Sequence, residues 1–372
     1  QPILETKLLE FLIISPKAEN FGYKILTISN PNYPSIILDF DWMVSLLIIY
    51  IPSFQSIKIK ILDFSTTIKS ENIQIWSLLY IMITVFTPTY NRAYILPVLF
   101  DSLQKQSLKN FEWLIVDDGS TDKTAQVIKK FAQTALFEIR YIHQENQGKH
   151  VAINTGCQHA KGDLFFIVDS DDFLGNNAIE VLNEKFNKIK DNPTIAGIAV
   201  GCFSITTGKR IFTKDLPKSE NLLNHNELVY KYGIKGDFAT AFKTEIQKQF
   251  PYPTFPNEKF FRESLVYRRI GKKYKTLYIN DPIYFADYLE DGLTSRSWQH
   301  LKNSPKGASL FFKELSNENI PFKARLVALN AYWDFQLNDI KSSWREKFSG
   351  VSKISSVIVL LNRKLKLIKL WS

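Results

Sequence analysis

The 372 residues are enough for two domains, and the 45% apolar and 23% charged fractions are ordinary for a soluble globular protein. Two cysteines, Cys157 and Cys202, exclude a disulfide framework and a paired-cysteine metal site, and fit a reducing compartment such as the cytosol. The formal charge of +10 points to an anionic partner (phosphate, a membrane surface or nucleic acid) or to a solvated basic surface, and no zinc-finger spacing or RNA-binding aromatic motif supports nucleic acid.

Residues 1–81 differ from the rest: they are rich in Ile, Leu and Ser, hold one Gly (Gly22) and no Arg, and are close to neutral. No charged segment with a small-residue cleavage site opens the chain, and the apolar run at 42–51 is too short to span a bilayer. Short β-rich runs at 57–62 and 73–79 read as strands. Met82 directly precedes a stronger pattern, so 1–81 is expected to be a dispensable extension and Met82 the natural start. A chain beginning at Met82 should fold by itself, and a loss of cooperative thermal unfolding in that chain would refute this.

From Met82 the pattern alternates. Strands are predicted at 83–87, 111–116, 139–142 and 164–168, the last apolar enough to be covered on both faces. Helices are predicted at 93–106, 121–132 (capped by Ser120 or Thr121), 149–160 and 177–189. Alternation of this kind implies an α/β fold with a mainly parallel, Rossmann-like sheet flanked by helices. Ligands in such folds sit beyond the carboxyl ends of the strands.

The polar residues gather at those ends. Thr87-Pro88-Thr89-Tyr90-Asn91-Arg92 follows the first strand, Asp117-Asp118-Gly119-Ser120-Thr121-Asp122 the second, and Asp169-Ser170-Asp171-Asp172 the fourth. One cluster alone is ordinary turn chemistry; three in register converge on one crevice. Strand alternation puts Asp169 and Asp171 on one side, with Asp172 next to them. Carboxylates so close repel unless a cation lies between them, and oxygen-only ligands favour Mg²⁺ or Mn²⁺. Such a cation would bridge a pyrophosphate and neutralise a departing nucleoside diphosphate. The competing reading of Asp171 or Asp172 is a helix cap. In the run 146–156, Gly148 permits close backbone approach and Lys149 can reach a phosphate, while His150 stays open between an anion contact and a packed residue.

Together these motifs, with Asn146-Gln147-Gly148-Lys149-His150-Val151-Ala152-Ile153-Asn154-Thr155-Gly156, resemble the family 2 glycosyltransferases of the GT-A fold over residues 83–182. The resemblance implies inverting transfer of a hexosyl or N-acetylhexosaminyl unit from a nucleotide sugar, commonly a uridine diphosphate sugar, in bacterial surface-polysaccharide synthesis. It places Thr87, Pro88 and Tyr90, with Arg92, around the nucleoside and Asp118 on the base, supported by Asp117. Asp169 falls near the ribose and metal, with Asp171 as main metal ligand and Asp172 beside it. Lys149 and Asn154 join the donor pocket, which Gly156 helps to shape. It also implies a donor-binding half at 82–200, a mixed acceptor-binding half at 201–300 and a helical region at 301–372.

Inversion needs a base for the acceptor hydroxyl. The family places an acid in the acceptor half, and Glu263 is the counterpart here, with Asp237 and Glu258 as rivals. Against Glu263 stands a salt-bridged helix residue beside Arg262, Arg268 or Arg269. A loop closing over the diphosphate is expected at 288–294. The basic cluster Arg268, Arg269, Lys272, Lys273 and Lys275 faces either a lipid-linked acceptor or solvent. The tail from Val351 to Ser372, apolar and basic, is either an interfacial helix on an anionic membrane or a terminal helix docked on the domain. The partners implied are a nucleotide-sugar donor and a glycan or lipid-linked acceptor, with peripheral contact at the inner face of the cell membrane. Alternatives are a GT-A-like binding module without turnover and a nucleotidyltransferase. The latter is disfavoured because 87–92 holds no glycine for a triphosphate loop.

Overall fold

The computed structural model describes residues 12–14, 26–30, 33–38, 81–218, 220–288 and 296–365. In the N-terminal part, Leu12–Ile14 (β1), Leu26–Asn30 (β2) and Tyr33–Leu38 (β3) form an antiparallel sheet in the order β1-β2-β3. The runs at 42–51, 57–62 and 73–79 lie outside the described residues.

The second unit is built on one mixed sheet. Ile83–Thr89 (β4), Phe111–Asp117 (β5), Glu138–His143 (β6) and Leu164–Ile167 (β7) are mutually parallel, in the order β7-β4-β5-β6. The period of two in their apolar runs serves two cores at once. Ile83, Val85, Trp113, Ile115 and Phe166 enter one apolar cluster, and Phe86, Leu114, Val116, Phe165 and Ile167 the other. Helices Leu96–Gln104 (α1), Thr124–Thr134 (α2) and, after β7, Ala178–Asn187 (α4) bring Leu99, Ile128 and Leu182 to the first cluster. Helix Lys149–His159 (α3) brings Ala152, Ile153 and Cys157 to the second. Gly156 serves this packing: a Cβ there would stand 2.0 Å from the Phe86 ring. It seats α3 against β4, where the resemblance had it shaping the donor pocket.

The other edge of the sheet is mixed. Ile195–Ser204 (β9), Glu220–Leu223 (β10), Phe238–Lys243 (β11) and Lys275–Ala286 (β12) extend the order as β10-β12-β9-β11-β7, and the two-residue strand Phe173–Leu174 (β8) pairs with β12. β11 runs antiparallel to both β7 and β9, whereas β9 and β12 are parallel. Thr244–Gln249 (α5) and Ser264–Gly271 (α6) follow β11 and cover the second cluster.

The remainder is helical: Ser297–Asn303 (α7), Pro305–Ser316 (α8), Phe322–Asn338 (α9), Trp344–Lys347 (α10) and Lys353–Leu365 (α11). α8 and α9 pack through Phe312 and Phe335, whose rings stack at 6.0 Å. α11 docks by burying Ser356 and Val359, and its Arg363 donates to the Asn330 carbonyl at 3.0 Å and to Asn330 Oδ1 at 2.8 Å and pairs with Asp334. The described part of the tail is therefore a docked helix; residues 366–372 lie outside the description. Among the described residues no helix is long and apolar enough to cross a membrane.

Candidate active site

The carboxyl ends of β4, β5 and β7 open on one cleft of about 1080 Å³. Pro88, Tyr90 and Arg92 come to it from β4, Asp118 from β5, Lys149 and His150 from the start of α3, and Asp169, Asp171 and Asp172 from β7. Asp237, just before β11, and Glu263, just before α6, line the opposite part. Thr87, Asp117 and Asn154 stand outside that lining. Thr87 is buried and accepts from Trp113 Nε1 at 2.9 Å. Asn154 spends its carboxamide on the backbone of Tyr252, donating to the carbonyl and accepting from the N–H, both at 2.8 Å. It ties α3 to the segment after α5.

The two loops at the near side are laced together. Asn91, at φ 52°, accepts the Thr121 N–H through Oδ1 at 2.8 Å, while its own N–H donates to Ser120 Oγ at 2.8 Å. The Asp122 carboxylate accepts the N–H of Thr124 at 2.9 Å and its hydroxyl at 2.5 Å. It fixes the start of α2 at Thr124, three residues beyond the expected cap at Thr121.

The paired acids of β5 have separate duties. Asp117 is buried and accepts from the Ser120 N–H at 2.8 Å and the Tyr141 hydroxyl at 2.8 Å. Asp118 accepts from Gln144 Nε2 at 2.7 Å and from the N–H groups of Gln147 and Gly148 at 2.9 and 2.7 Å. Its carboxylate thus holds the loop 144–148 in place at the wall of the cleft.

Gly148 is where that loop meets the segment between α5 and α6. Its φ is +101°, and a Cβ there would lie 2.0 Å from the Lys259 carbonyl oxygen. Gly148→Ala combines left-handed strain with a backbone clash and is expected to lower stability by at least about 1–2 kcal/mol. Unchanged chemical denaturation of the variant would show that the contact is slack.

Lys149, one residue on, bridges the site. Its Nζ lies 2.8 Å from Asp169 and 2.7 Å from Glu263 Oε1. Burial alone would lower its pKa, but the two carboxylates outweigh burial and hold the ammonium well above its ordinary value. His150 is buried beside Phe261, ring centroids 5.9 Å apart, and desolvation pushes it down to about 4. It both packs on Phe261 and lines the cleft, so the ring stands between the two roles that the sequence left open.

The acids after β7 crowd together: Asp169, Asp171 and Asp172 each offer a carboxylate oxygen within 4.8 Å of the others. Burial first, then the charge of Asp169, pushes Asp171 up, and the same two causes push Asp172 up to about 8. Tyr284 of β12 donates its hydroxyl to Asp172 Oδ2 at 2.6 Å and accepts the Asp169 N–H at 3.2 Å. Two desolvated carboxylates beside Asp169, offset by Tyr284, Lys149 and the charge of Arg92, fit a divalent cation.

Among the candidate bases, the two oxygens of Glu258 accept the N–H groups of Lys306 and Gly307, each at 2.8 Å. Glu258 therefore caps α8 and is no base. Glu263 turns toward the cleft, with the Tyr267 hydroxyl donating to Oε2 at 2.9 Å. Asp237 Oδ2 accepts from the Tyr288 hydroxyl at 2.6 Å. The loop expected at 288–294 falls, beyond Tyr288, outside the described residues. In the basic cluster after Glu263, Arg268 is buried beside Asn226 and Glu318, Arg269 pairs with Glu314 and Lys275 lies 2.6 Å from Glu227, while Lys272 and Lys273 are exposed. Arg268, Arg269 and Lys275 are thus held by acids of the protein itself.

Tyr267 and Tyr284 carried no signal in the sequence. Tyr284 meets Asp172 from β12, 112 residues on, whereas Tyr267 meets Glu263 one turn along α6, a spacing that could have been read had the helix been predicted.

The profile of Glycosyl transferase family 2 matches residues 84–249. Glycosyltransferase GlyG of Streptococcus pneumoniae is 29% identical over 212 residues, 55% of this chain and 69% of the relative. The Campylobacter jejuni GalNAc(5)-diNAcBac-PP-undecaprenol beta-1,3-glucosyltransferase is 28% identical over 204 residues, 53% of this chain and 62% of the relative, so the match spans under two thirds of that protein. Among solved structures, Staphylococcus aureus TarS 1–349 in complex with UDP-GlcNAc superposes with a TM-score of 0.50 at 19% identity, covering 75% of this chain and 79% of that one, a likeness of fold.

Proposed function

We propose, on the premise that this chain belongs to glycosyl transferase family 2 through residues 84–249, that it moves a hexosyl or N-acetylhexosaminyl unit from a uridine diphosphate sugar to a glycan or lipid-linked acceptor, with inversion, in bacterial surface-polysaccharide synthesis. One observation carries this reading. The polar ends of three parallel strands share a single cleft, and the Glu263 carboxylate enters the same cleft, held beside Asp169 through Lys149.

In this reading Tyr90, 47% exposed at the rim, offers a ring face to the base, and the loop held by Asp118 walls the nucleoside. Asp169, Asp171 and Asp172 would hold Mn²⁺ or Mg²⁺, which when bound supplies positive charge to the diphosphate leaving group. Lys149 stands between Asp169 and Glu263 and fixes the direction of the Glu263 carboxylate. Glu263 accepts the proton of the acceptor hydroxyl as its oxygen attacks the anomeric carbon from the face opposite the diphosphate. Asp237, whose Oδ2 is already engaged by Tyr288, contacts the acceptor. The donor half runs over 82–200, the acceptor half over 201–300, and 301–372 buttress them. The setting proposed is the cytoplasmic side of the cell membrane.

The test is a panel of nucleotide sugars and nucleoside diphosphates, with and without Mn²⁺, read as thermal protection. A uridine diphosphate species with Mn²⁺ should stabilise the chain by about 2–3 kcal/mol at a hundred times its Kd. Protection by another nucleotide but not by uridine species would overturn the donor assignment. Protection without donor hydrolysis or transfer would favour a binding module that has lost turnover.

A further inference from the structure

We infer that the outward face of α11 is a docking surface for an anionic lipid bilayer. Successive residues of a helix turn by about 100°, so Ile354, Val357, Ile358 and Leu361 fall in one stripe within about 60° of its midline. They are 78, 48, 45 and 52% exposed. Ser356, Val359 and Arg363, which dock the helix on α9, occupy the other side. The hydrogen bonds of Arg363 and the burial of Val359 fix the rotation of the helix, so the stripe cannot turn inward.

The charge around the stripe says what covers it. Lys353 and Lys364 are exposed and flank it on one side. α11 itself carries Lys353, Arg363 and Lys364 and no acid, and Arg363 is spent on Asp334, which leaves the two lysines beside the stripe. An apolar stripe flanked by two exposed lysines, on a helix that carries no acid, matches the boundary between acyl chains and anionic headgroups. A second copy of the same helix would bring like charges together around the shared apolar contact. This surface goes beyond the transfer reaction and is argued without it.

The experiment is sedimentation of the full chain with vesicles of phosphatidylglycerol and phosphatidylcholine, against vesicles of phosphatidylcholine alone. The chain should sediment with the anionic vesicles and be released by high salt. Ile354→Glu/Ile358→Glu should weaken that binding tenfold or more, and Lys353→Glu/Lys364→Glu should do so without altering thermal unfolding. The proposal is overturned if the chain ignores anionic vesicles, or if the Ile354→Glu/Ile358→Glu variant binds them as well as the parent. It is equally overturned if light scattering shows a dimer that this variant dissociates while vesicles stay unbound. No donor is present, so failure here leaves the transferase reading untouched, and failure of turnover leaves this one untouched.

Discussion

Asp171→Ala is expected to reduce transfer by roughly 10³-fold or more while leaving the nucleotide-free protein at least as stable as the parent. The two effects have opposite signs for one reason. Without a cation, Asp171 is a desolvated carboxyl pushed upward by burial and by Asp169, so removing it relieves repulsion on Asp169 and Asp172. With a cation it is a ligand, and a metal supplies several kcal/mol of transition-state stabilisation. The measurements are kcat at saturating donor and the melting temperature with and without Mn²⁺. The variant should melt no lower than the parent in chelator and lose the Mn²⁺-dependent rise. A variant that melts lower in chelator and keeps the Mn²⁺ response would mean that Asp171 caps the following turn and holds no metal.

Glu263→Gln should cost about 10²–10⁴ in kcat and leave donor-dependent thermal protection intact. The amide keeps the shape and can still accept from Tyr267, and Lys149 retains Asp169 at 2.8 Å, so the donor wall should survive. What is lost is the ability to take a proton. Asp237→Asn separates the rivals: its loss should stay within about tenfold and appear in the KM for acceptor. Full turnover by Glu263→Gln, or a larger loss from Asp237→Asn, would move the base to the β11 side of the cleft.

The parallel half was legible in the sequence because its signals are local. The strands at 83–87, 111–116 and 139–142 were found within two residues of β4, β5 and β6, the first two because each is an apolar run followed by its own polar cluster and the third because its apolar residues alternate. The start of α2 was placed three residues early because Ser120 and Thr121 look like caps, whereas their polar groups bind Asn91 and the capping carboxylate is Asp122. The other half was not legible for a physical reason. β9, β11 and β12 take their partners from distant parts of the chain, so their pairing leaves no local period to read. The same distance hid Tyr284 behind Asp172 and gave Glu258, a helix cap, the look of a base. In the tail, the scatter of Leu365, Leu367, Leu370 and Trp371 obscured the narrower stripe that begins at Ile354.

The reversal of strand direction at β11 has a consequence for how such a protein can change its preferences. Phe166 faces Ala241 across the β7–β11 pair, so the entry of β11 lies beside the exit of β7. Acids from two distant stretches, 169–172 and 237, therefore arrive at the same rim without either strand being longer than its neighbours. The span that delivers Asp237, from 205 to 236, hangs outside this ladder except for β10. Insertions or replacements there can reshape the mouth of the cleft while the acidic turn at 169–172 stays anchored through β7 to β4 and β11. If the proposed reading holds, acceptor choice can thus drift between relatives whose donor chemistry stays put.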